Sequence, residues 1–391
     1  MADKCTRKKI VSVFENFPEE IIQGIFVKLP IKSLVQCTAV CKSWRSLIIS
    51  STFIDAHLRR IVQSNSQTNV YGLFLLTACT SEKLLFSLHL DNPAFDEYTK
   101  LTSPLIPLFK KKLRKYSEKE SDFYVAGTCN GLVCLASKYT TIIWNPCIRK
   151  YMVLPRPITL GFESDWARCD FGYDSHTNDY KVLRSVNNFY GKRTACEVWS
   201  LARGSWKIIS AGVVPAYFRP LDYSDRGYDV SLSNKHAFVN GALHWIPSPK
   251  GYPDEVRYIV SFDLFSERFA KIMIPTASEI AHVSILRYRE SLALLVQSSE
   301  KLLHLWVMKE YSVVESWTIL STLHLQERIW YPLGFRKSGE VLLNMYPLGV
   351  QLVDPNTGQI TSELNKRRMY NFMDSFVQSL LLFDQPNAIC Y

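Results

Sequence analysis

The sequence predicts an α+β protein of two parts, a small N-terminal all-α module followed by a large all-β domain. Three observations support this prediction: helical spacing of apolar residues near the N-terminus, short β-branched and aromatic runs farther on, and an internal repeat within those runs. A chain of 391 residues can form one substantial core and a smaller module. We divide it into residues 1–15, expected to be disordered, a helical module at 16–60 and a β domain at 66–391.

Composition excludes several classes of protein. The chain is 47% apolar and 21% charged, and its longest apolar stretch, residues 71–79, is half of the roughly 18 residues that a spanning helix needs. The apolar stretch at residues 10–14 is too short for a secretory signal. The 10 cysteines contain no CxxC pair and no zinc-site spacing. We therefore expect reduced thiols, no metal, no membrane contact and a cytoplasmic or nuclear location.

The net charge of +10 raises the question of nucleic-acid binding. Basic residues cluster at 110–115 and at 366–368. The first cluster lies between a proline-bounded segment and a polar one, which is typical of a solvated surface loop. We favour that interpretation over a nucleic-acid site, and a weak nuclear-import signal is an alternative use of the charges.

The first helix of the N-terminal module has clear start and stop signals. Pro18 is placed to be its first helical residue, and Glu19 and Glu20 complement the positive end of the helix. Apolar residues then follow at helical spacing as far as Leu29. Pro30 is predicted to end the helix.

Three more helices are expected in the same module. Apolar spacing predicts a second helix over 34–41 and a third over 42–48. A fourth is predicted from Thr52, where Thr52 and Asp55 can form a capping box. So small a module has more apolar side chains than its own core can bury, so either the rest of the chain or a partner protein must cover them.

These residues also form an ordered motif. It consists of Phe17-Pro18-Glu19-Glu20-Ile21-Ile22, Ile25-Phe26, Leu29-Pro30, Leu34, Val40-Cys41-Lys42-Ser43-Trp44 and Leu47-Ile48. The motif resembles an F-box, with Phe17 where leucine is commoner. The resemblance implies binding to the Skp-type adaptor of a cullin-RING ubiquitin ligase. The positions that match the family's adaptor contacts are Pro18, Ile22, Leu29, Pro30, Leu34, Cys41, Lys42 and Trp44. Trp44 can serve as a contact, as a core residue or as both.

Beyond about residue 65 the sequence consists of short runs rich in Val, Ile, Tyr, Phe and Trp, broken by turn-forming residues. Such a pattern predicts an all-β domain whose neighbouring strands pair as antiparallel hairpins. The strand candidates are residues 133–135, 141–144, 180–184, 197–201, 206–209, 242–245, 259–264, 292–296, 303–308, 316–320, 341–345 and 350–353.

Two sequence patterns recur in this domain. Asn130-Gly131 and the strand after it resemble Asn240-Gly241 and, more weakly, Ser338-Gly339. Trp199 with Trp206 resembles Trp306 with Trp317. The recurrences lie roughly 100 to 110 residues apart, which fits a multiple of a propeller blade of about 40 to 50 residues. We therefore predict a β-propeller of about six to eight blades, with a pair of β-sandwiches as the alternative.

The same domain contains longer motifs. They are Gly127-Thr128-Cys129-Asn130-Gly131-Leu132-Val133-Cys134-Leu135, Trp144-Asn145-Pro146, Phe171-Gly172-Tyr173-Asp174, Asp179-Tyr180-Lys181-Val182, Asn240-Gly241-Ala242-Leu243-His244-Trp245 and Ile259-Val260-Ser261-Phe262-Asp263-Leu264. They resemble the plant F-box-associated domain over roughly residues 70 to 385. Members are often described as F-box/kelch, but this chain has no Gly-Gly doublet and thus departs from the kelch repeat.

No catalytic centre is expected. The eight histidines are scattered and match no hydrolase, phosphate-loop or metal motif. The densest polar group, Asp170, Asp174, His176 and Asp179, is expected in a hairpin. We therefore predict no catalytic residue, no cofactor and a role as the substrate-recognition adaptor of a Skp-cullin-F-box ligase. The alternatives are a propeller enzyme and an interaction scaffold that acts without a ligase.

The substrate is expected to bind the propeller loops, because loops present variable side chains on a rigid scaffold. The best candidate is the aromatic and arginine-containing segment 215–228, and weaker ones are 187–193 and 248–253. The predicted substrate contacts are Tyr217, Phe218, Arg219, Tyr223, Arg226 and Tyr228. A plain connecting loop is an equal alternative for each segment. The sequence does not distinguish a role in pollen self-incompatibility, immunity or another pathway.

Overall fold

A computed structural model of the protein describes most of the chain. The described residues are 17–67, 72–80, 83–110, 118–159, 164–188, 194–209, 236–247, 258–275, 280–298, 302–324, 328–363 and 370–391. Residues 1–15, expected to be disordered, and the basic residues 111–115 and 366–368 lie outside these ranges. No helix in the described part is long and apolar enough to cross a membrane.

Four helices form the N-terminal module. They are α1 (Glu19–Phe26), α2 (Ile31–Cys37), α3 (Lys42–Ile48) and α4 (Ser51–Gln67). Phe26, Ile31, Leu34, Ile48 and Phe53 are buried in their core. The ring of Trp44 packs edge-on against Phe26, with ring centroids 4.9 Å apart. The helices therefore share one core despite their short lengths.

The helix ends differ in detail from the sequence prediction. Pro18 has an extended ψ of 142° and precedes the first helical residue, so it is the N-cap and not the first turn. Pro30 likewise caps α2, because α1 has already ended at Phe26. The predicted capping box at Thr52 is wrong. The hydroxyl of Ser50 accepts the bond from the backbone N–H of Phe53, 3.3 Å away, so α4 begins one residue earlier.

Beyond the helical module, the described residues form mainly strands and the turns between them. One short helix, α5, spans Leu105–Lys110. The strands are β1 (Leu73–Cys79), β2 (Leu84–Leu90), β3 (Glu97–Leu101), β4 (Tyr124–Cys129), β5 (Leu132–Ala136), β6 (Thr141–Asn145), β7 (Lys150–Val153), β8 (Ser164–Asp174), β9 (Asp179–Asn188), β10 (Thr194–Ser200), β11 (Ser205–Ile209), β12 (Ala237–Val239), β13 (Ala242–Trp245), β14 (Tyr258–Asp263), β15 (Arg268–Met273), β16 (Ile280–Tyr288), β17 (Ser291–Ser298), β18 (Leu302–Met308), β19 (Trp317–His324), β20 (Arg328–Phe335), β21 (Val341–Tyr346), β22 (Gly349–Val353), β23 (Ile360–Glu363), β24 (Tyr370–Phe376) and β25 (Ile389–Cys390).

Within the described residues these strands form six antiparallel sheets, the blades of a propeller. Blade 1 is β24-β1-β2-β3, blade 2 is β4 to β7 with β25 at its outer edge, and blades 3 to 6 are β8–β11, β12–β15, β16–β19 and β20–β23. The first strands lie around the centre, with β4 beside β8 and β24 beside β4. Because β24 joins the N-terminal strands in blade 1, the two ends of the β domain close the ring. The predicted propeller is confirmed, with six blades.

The internal repeat corresponds to two blades. Asn130-Gly131 turns the first hairpin of blade 2, and Asn240-Gly241 turns that of blade 4. Trp199 and Trp306 lie on the third strands of blades 3 and 5. Blades 2 and 4 therefore share one signature and blades 3 and 5 share another, which explains the long spacing between recurrences.

Each blade exposes its hairpins at two opposite ends of the propeller. The helices pack at one end, because Asp55 of α4 accepts a 3.3 Å hydrogen bond from Asn178 in the β8–β9 hairpin. We call this the helix-side end. The β14–β15 turn lies at the same end, since Phe265 stacks on His176 with ring centroids 4.6 Å apart. Strand pairing is antiparallel, so the alternate connections leave from the opposite end.

Candidate interaction surfaces

An apolar stripe runs along the outside of α1. Ile21 and Ile25 are 49% and 46% exposed, and their spacing of four residues places them on one face of the helix; Phe17, which precedes the helix, is 47% exposed. Val40, which follows α2, is 38% exposed. Soluble proteins seldom leave several large apolar side chains together in water, so this stripe is a candidate interface.

The eight residues predicted to contact an adaptor have different exposures. Pro18, Pro30 and Lys42 are exposed. Half-buried positions are occupied by Ile22, Leu29, Cys41 and Trp44. Leu34 has no exposed surface, so it stabilises the core of the module and cannot be a direct contact as predicted. The contact role of the other seven stays a prediction.

Cys41 and Trp44 act together at the start of α3. Cys41 is the N-cap, and its Sγ accepts a 3.5 Å hydrogen bond from the backbone N–H of Trp44. The Trp44 ring packs on Phe26 in the core, yet part of it stays exposed. Trp44 therefore has the core role that the sequence left open, and its contact role stays a prediction.

Two side chains of α4 support the loop between α1 and α2. His57 lies 3.1 Å from the carbonyl oxygen of Leu29 through Nε2, and Arg60 donates a 2.9 Å hydrogen bond from Nη1 to the carbonyl of Val27. Burial lowers the pKa of His57, so it is neutral at pH 7 and donates from Nε2. No local sequence pattern indicates this support, since the bonded groups are 28 and 33 residues apart.

The helical module and the propeller share one hydrophobic cluster. It joins the buried core of the helices to Leu132 and Cys134 of blade 2 and Phe171 of blade 3. Beside it, the hydroxyl of Tyr173 donates a 2.6 Å hydrogen bond to Asn178, which in turn donates to Asp55. The rest of the chain thus covers one face of the helices, while the stripe on α1 stays exposed.

The predicted polar group does not form a single site. Asp174 binds Lys181 at 3.1 Å and accepts the backbone N–H of His176 at 3.0 Å. Asp179 instead accepts the hydroxyl of Ser200 at 2.6 Å, across the neighbouring hairpin. Each of these carboxylates fixes a turn, which is a structural role. No group of three or more metal-ligating side chains occurs in the described part of the chain.

Asp170 lies apart from them, on the central strand β8. It accepts a 3.0 Å bond from Nε of Arg168 and lies 2.8 Å from Nδ1 of His236. Burial alone would raise its pKa, but its contacts with Arg168 and His236 outweigh burial and lower it. Asp374 on β24 shows the reverse, because burial outweighs Arg287 and raises its pKa. The two innermost strands β8 and β24 therefore carry one ionised carboxylate and one whose charge is disfavoured.

The predicted substrate contacts Tyr217, Phe218, Arg219, Tyr223, Arg226 and Tyr228 lie outside the described residues. The two weaker candidate segments fall largely outside as well. The strand ends that lead into these segments are described: β9 and β10, β11 and β12, and β13 and β14. All of these ends lie opposite the helix-side end, because their other ends form the hairpins near the helices.

Family comparisons match both parts of the chain. Residues 74–353 match the F-box associated beta propeller domain, and residues 14–57 match the F-box-like family. The chain is 29% identical to the F-box protein At3g07870 of Arabidopsis thaliana, covering 78% of this chain and 71% of that protein. It is 29% identical to the Arabidopsis F-box protein CPR1, covering 79% and 73%. The Arabidopsis F-box/kelch-repeat protein At3g23880 is 25% identical, covering 88% and 89%. Among solved structures, YCF48 from Cyanidioschyzon merolae superposes with a TM-score of 0.40 at 10% identity, covering 75% and 85%.

Proposed function

We propose that this chain, which belongs to the family of plant F-box proteins with an F-box associated beta propeller domain, is the substrate-recognition subunit of a Skp-cullin-F-box ubiquitin ligase. Its helical module binds a Skp-type adaptor, and through that adaptor a cullin. Its propeller binds the protein that is to be ubiquitinated. Such a subunit works in the cytoplasm or the nucleus.

The observation that carries the proposal is the apolar stripe on α1. Phe17, Ile21 and Ile25 are about half exposed and do not belong to the hydrophobic cluster that joins the helices to the propeller. Burying about 50 to 100 Å² of each side chain in an interface would contribute roughly 1 to 2 kcal/mol apiece. Pro18, Pro30 and Lys42 are exposed in the same module and can extend the contact.

In this proposal the propeller binds the substrate and takes no part in the chemistry of ubiquitin transfer. The carboxylates of Asp174 and Asp179 fix turns, and Asp170 is paired with Arg168 and His236. Ubiquitin transfer then depends on the other subunits of the ligase. The proposed substrate contacts remain Tyr217, Phe218, Arg219, Tyr223, Arg226 and Tyr228, because the strand ends that lead to them lie away from the adaptor-binding module.

Adaptor binding can be tested on the full chain by titrating it with a purified Skp-type adaptor. We expect the double variant Ile21→Asp/Ile25→Asp to weaken binding at least about 100-fold, because it places two charges in an apolar contact. Both side chains are about half exposed, so the variant should fold.

The matched control is Val62→Asp, which places a charge on α4 at a residue that is 41% exposed but outside the stripe. It should bind as the wild type does. Wild-type affinity in a folded Ile21→Asp/Ile25→Asp variant would refute the assignment of this surface. Leu29→Asp/Leu34→Asp is a poor choice, since Leu34 lies in the core and its loss would unfold the module.

A further inference from the structure

Residues 377–391 form a strap across the helix-side end of the propeller. The strap leaves blade 1 after β24, passes blade 2 and ends as β25, where Ile389 pairs with Tyr151 of β7. Its three leucines, residues 380–382, are 1%, 9% and 1% exposed. They belong to the hydrophobic cluster that contains the core of the helical module. The strap therefore lies where helices and propeller meet.

Blade 2 holds the backbone of the strap through two side chains. Nδ2 of Asn145 donates to the carbonyl oxygens of Ser379 at 3.0 Å and Leu381 at 2.8 Å. Nζ of Lys150 donates to the carbonyl of Phe383 at 3.1 Å. These bonds fix the position of the leucines between them, so the path of the strap is set by blade 2.

The first hairpin of blade 2 is shaped to let the strap pass. Gly131 has a φ of +83°, and a Cβ there would collide with the carbonyl oxygen of Val377 and lie 2.6 Å from Oγ of Ser379. Gly241 occupies the same place in blade 4 with a φ of +72°, and nothing lies within 4 Å of its Cβ position. Of these two glycines, therefore, only Gly131 makes room for another segment of the chain by lacking a side chain.

Polar contacts alone would hold the helices weakly. The bond from Asn178 to Asp55 is exposed and 3.3 Å long, and an exposed bond of this kind contributes little to stability. The shared apolar cluster, with the strap leucines in it, is the larger attachment.

We propose that the strap is a clasp that holds the F-box module against the propeller. The clasp fixes the direction in which the opposite end of the propeller faces when the module is bound to an adaptor. A fixed direction keeps a substrate at a constant distance from the site of transfer, which favours the reaction through orientation. The purpose of the clasp rests on the proposed function, but the clasp itself is a property of the isolated chain.

Hydrogen exchange of the full chain, followed by mass spectrometry, tests the clasp. Gly131→Ala should displace the strap and raise exchange of the strap, α3 and α4 at least about fivefold, because their shared packing is lost. Gly241→Ala is the matched control, since it has the same backbone strain but no strap above it. It should leave α3 and α4 as protected as in the wild type. Faster exchange of the strap with unchanged α3 and α4 would overturn the proposal.

A second variant decides the matter if Gly131→Ala unfolds the blades, which faster exchange of blades 3 to 6 would show. Lys150→Met keeps the apolar stem and removes only the donor to the strap, and Lys207→Met on blade 3 is its control. Lys150→Met should loosen the strap, α3 and α4 together. A strap that stays protected in this variant, or one that loosens alone, overturns the clasp.

Adaptor titration separates this proposal from the proposed function. Gly131→Ala should bind a Skp-type adaptor with wild-type affinity. The exposed side chains of the stripe on α1 do not belong to the hydrophobic cluster that contains the strap leucines. Absence of adaptor binding by the wild type would refute the proposed function and leave the exchange result standing. Loss of adaptor binding in Gly131→Ala alone would show that the strap shapes the adaptor site and would overturn its role as a clasp.

Discussion

Blades 2 and 4 begin with the same Asn-Gly hairpin but have different neighbours. In both hairpins the two residues have positive φ, 51° and 83° in blade 2 and 52° and 72° in blade 4. The strap crosses Gly131, whereas nothing lies within 4 Å of a Cβ at Gly241. The local sequence therefore determines the turn. What packs on the turn is determined by residues that are distant in the sequence.

The same blades differ at two other equivalent positions. Asn145 and Asp263 both end the third strand, but Asn145 binds the strap whereas Asp263 accepts the backbone N–H of Ser266 at 2.6 Å in its own turn. Three residues after the turn glycine, on the second strand, blade 2 has the buried Cys134 and blade 4 the buried His244. Blade 2 thus binds the strap, whereas blade 4 contains a buried histidine that can titrate.

The largest expected difference concerns the third strand. Asn145→Ala should destabilise the protein by roughly 3 kcal/mol, because it leaves the carbonyls of Ser379 and Leu381 buried without a donor. Asp263→Ala should cost only about 0.5 to 1 kcal/mol, since one hydrogen bond within a turn is lost. Denaturant unfolding of both variants measures the difference. Equal losses would mean that the strap adds nothing to the stability of blade 2.

Much of the fold could be predicted from the sequence, because the signals involved are local. Every strand candidate overlaps an observed strand, and the two-blade recurrence indicated a propeller. The central strands were harder to find. β8 carries the ion pair of Arg168 and Asp170, so it lacks the apolar alternation of the outer strands, and β12 has only three residues. Such strands are positioned by their neighbours more than by their own sequence.

The candidate site was predicted only in part, for the same reason. The F-box motif located the helical module, but it did not show that Leu34 is buried while Ile21 and Ile25 are exposed. That difference depends on how four helices pack together. The support from His57 and the contact between Asp55 and Asn178 join residues 28 and 123 positions apart in sequence. No local pattern can indicate such pairs.

Acid should weaken blade 4 more than blade 2. Burial lowers the pKa of His244 from 6.5 to about 4, although its contact with the carbonyl of Ala237 opposes this. A folded-state pKa below the unfolded one means that stability is complete above pH 6.5 and falls as the pH drops toward 4. The loss is on the order of 2 to 3 kcal/mol. Cys134 at the equivalent position of blade 2 has a pKa raised by burial, so it stays neutral throughout this range.

Denaturant unfolding of the wild type and His244→Gln at pH 7 and pH 4.5 measures this effect. The variant should lose most of the acid dependence, because a neutral amide replaces the imidazole. His57 accounts for some of the acid dependence that remains, because burial lowers its pKa as well. An unchanged acid dependence in His244→Gln would show that the pKa of His244 is not lowered in the folded protein and would contradict this prediction.

The smallest expected difference concerns the asparagines of the two hairpins. Glycine tolerates positive φ more easily than asparagine does, so Asn240→Gly, at an exposed turn, should change stability by no more than about 0.5 kcal/mol. Asn130 differs because its Nδ2 donates a 3.0 Å hydrogen bond to the hydroxyl of Tyr180 in blade 3. Asn130→Gly removes that bond from a largely buried tyrosine and should cost about 1 kcal/mol more than Asn240→Gly. The two denaturation midpoints, measured side by side, give the difference directly. If they coincide, the amide of Asn130 does not link blades 2 and 3, and the difference between the two hairpins rests on the strap above Gly131 alone.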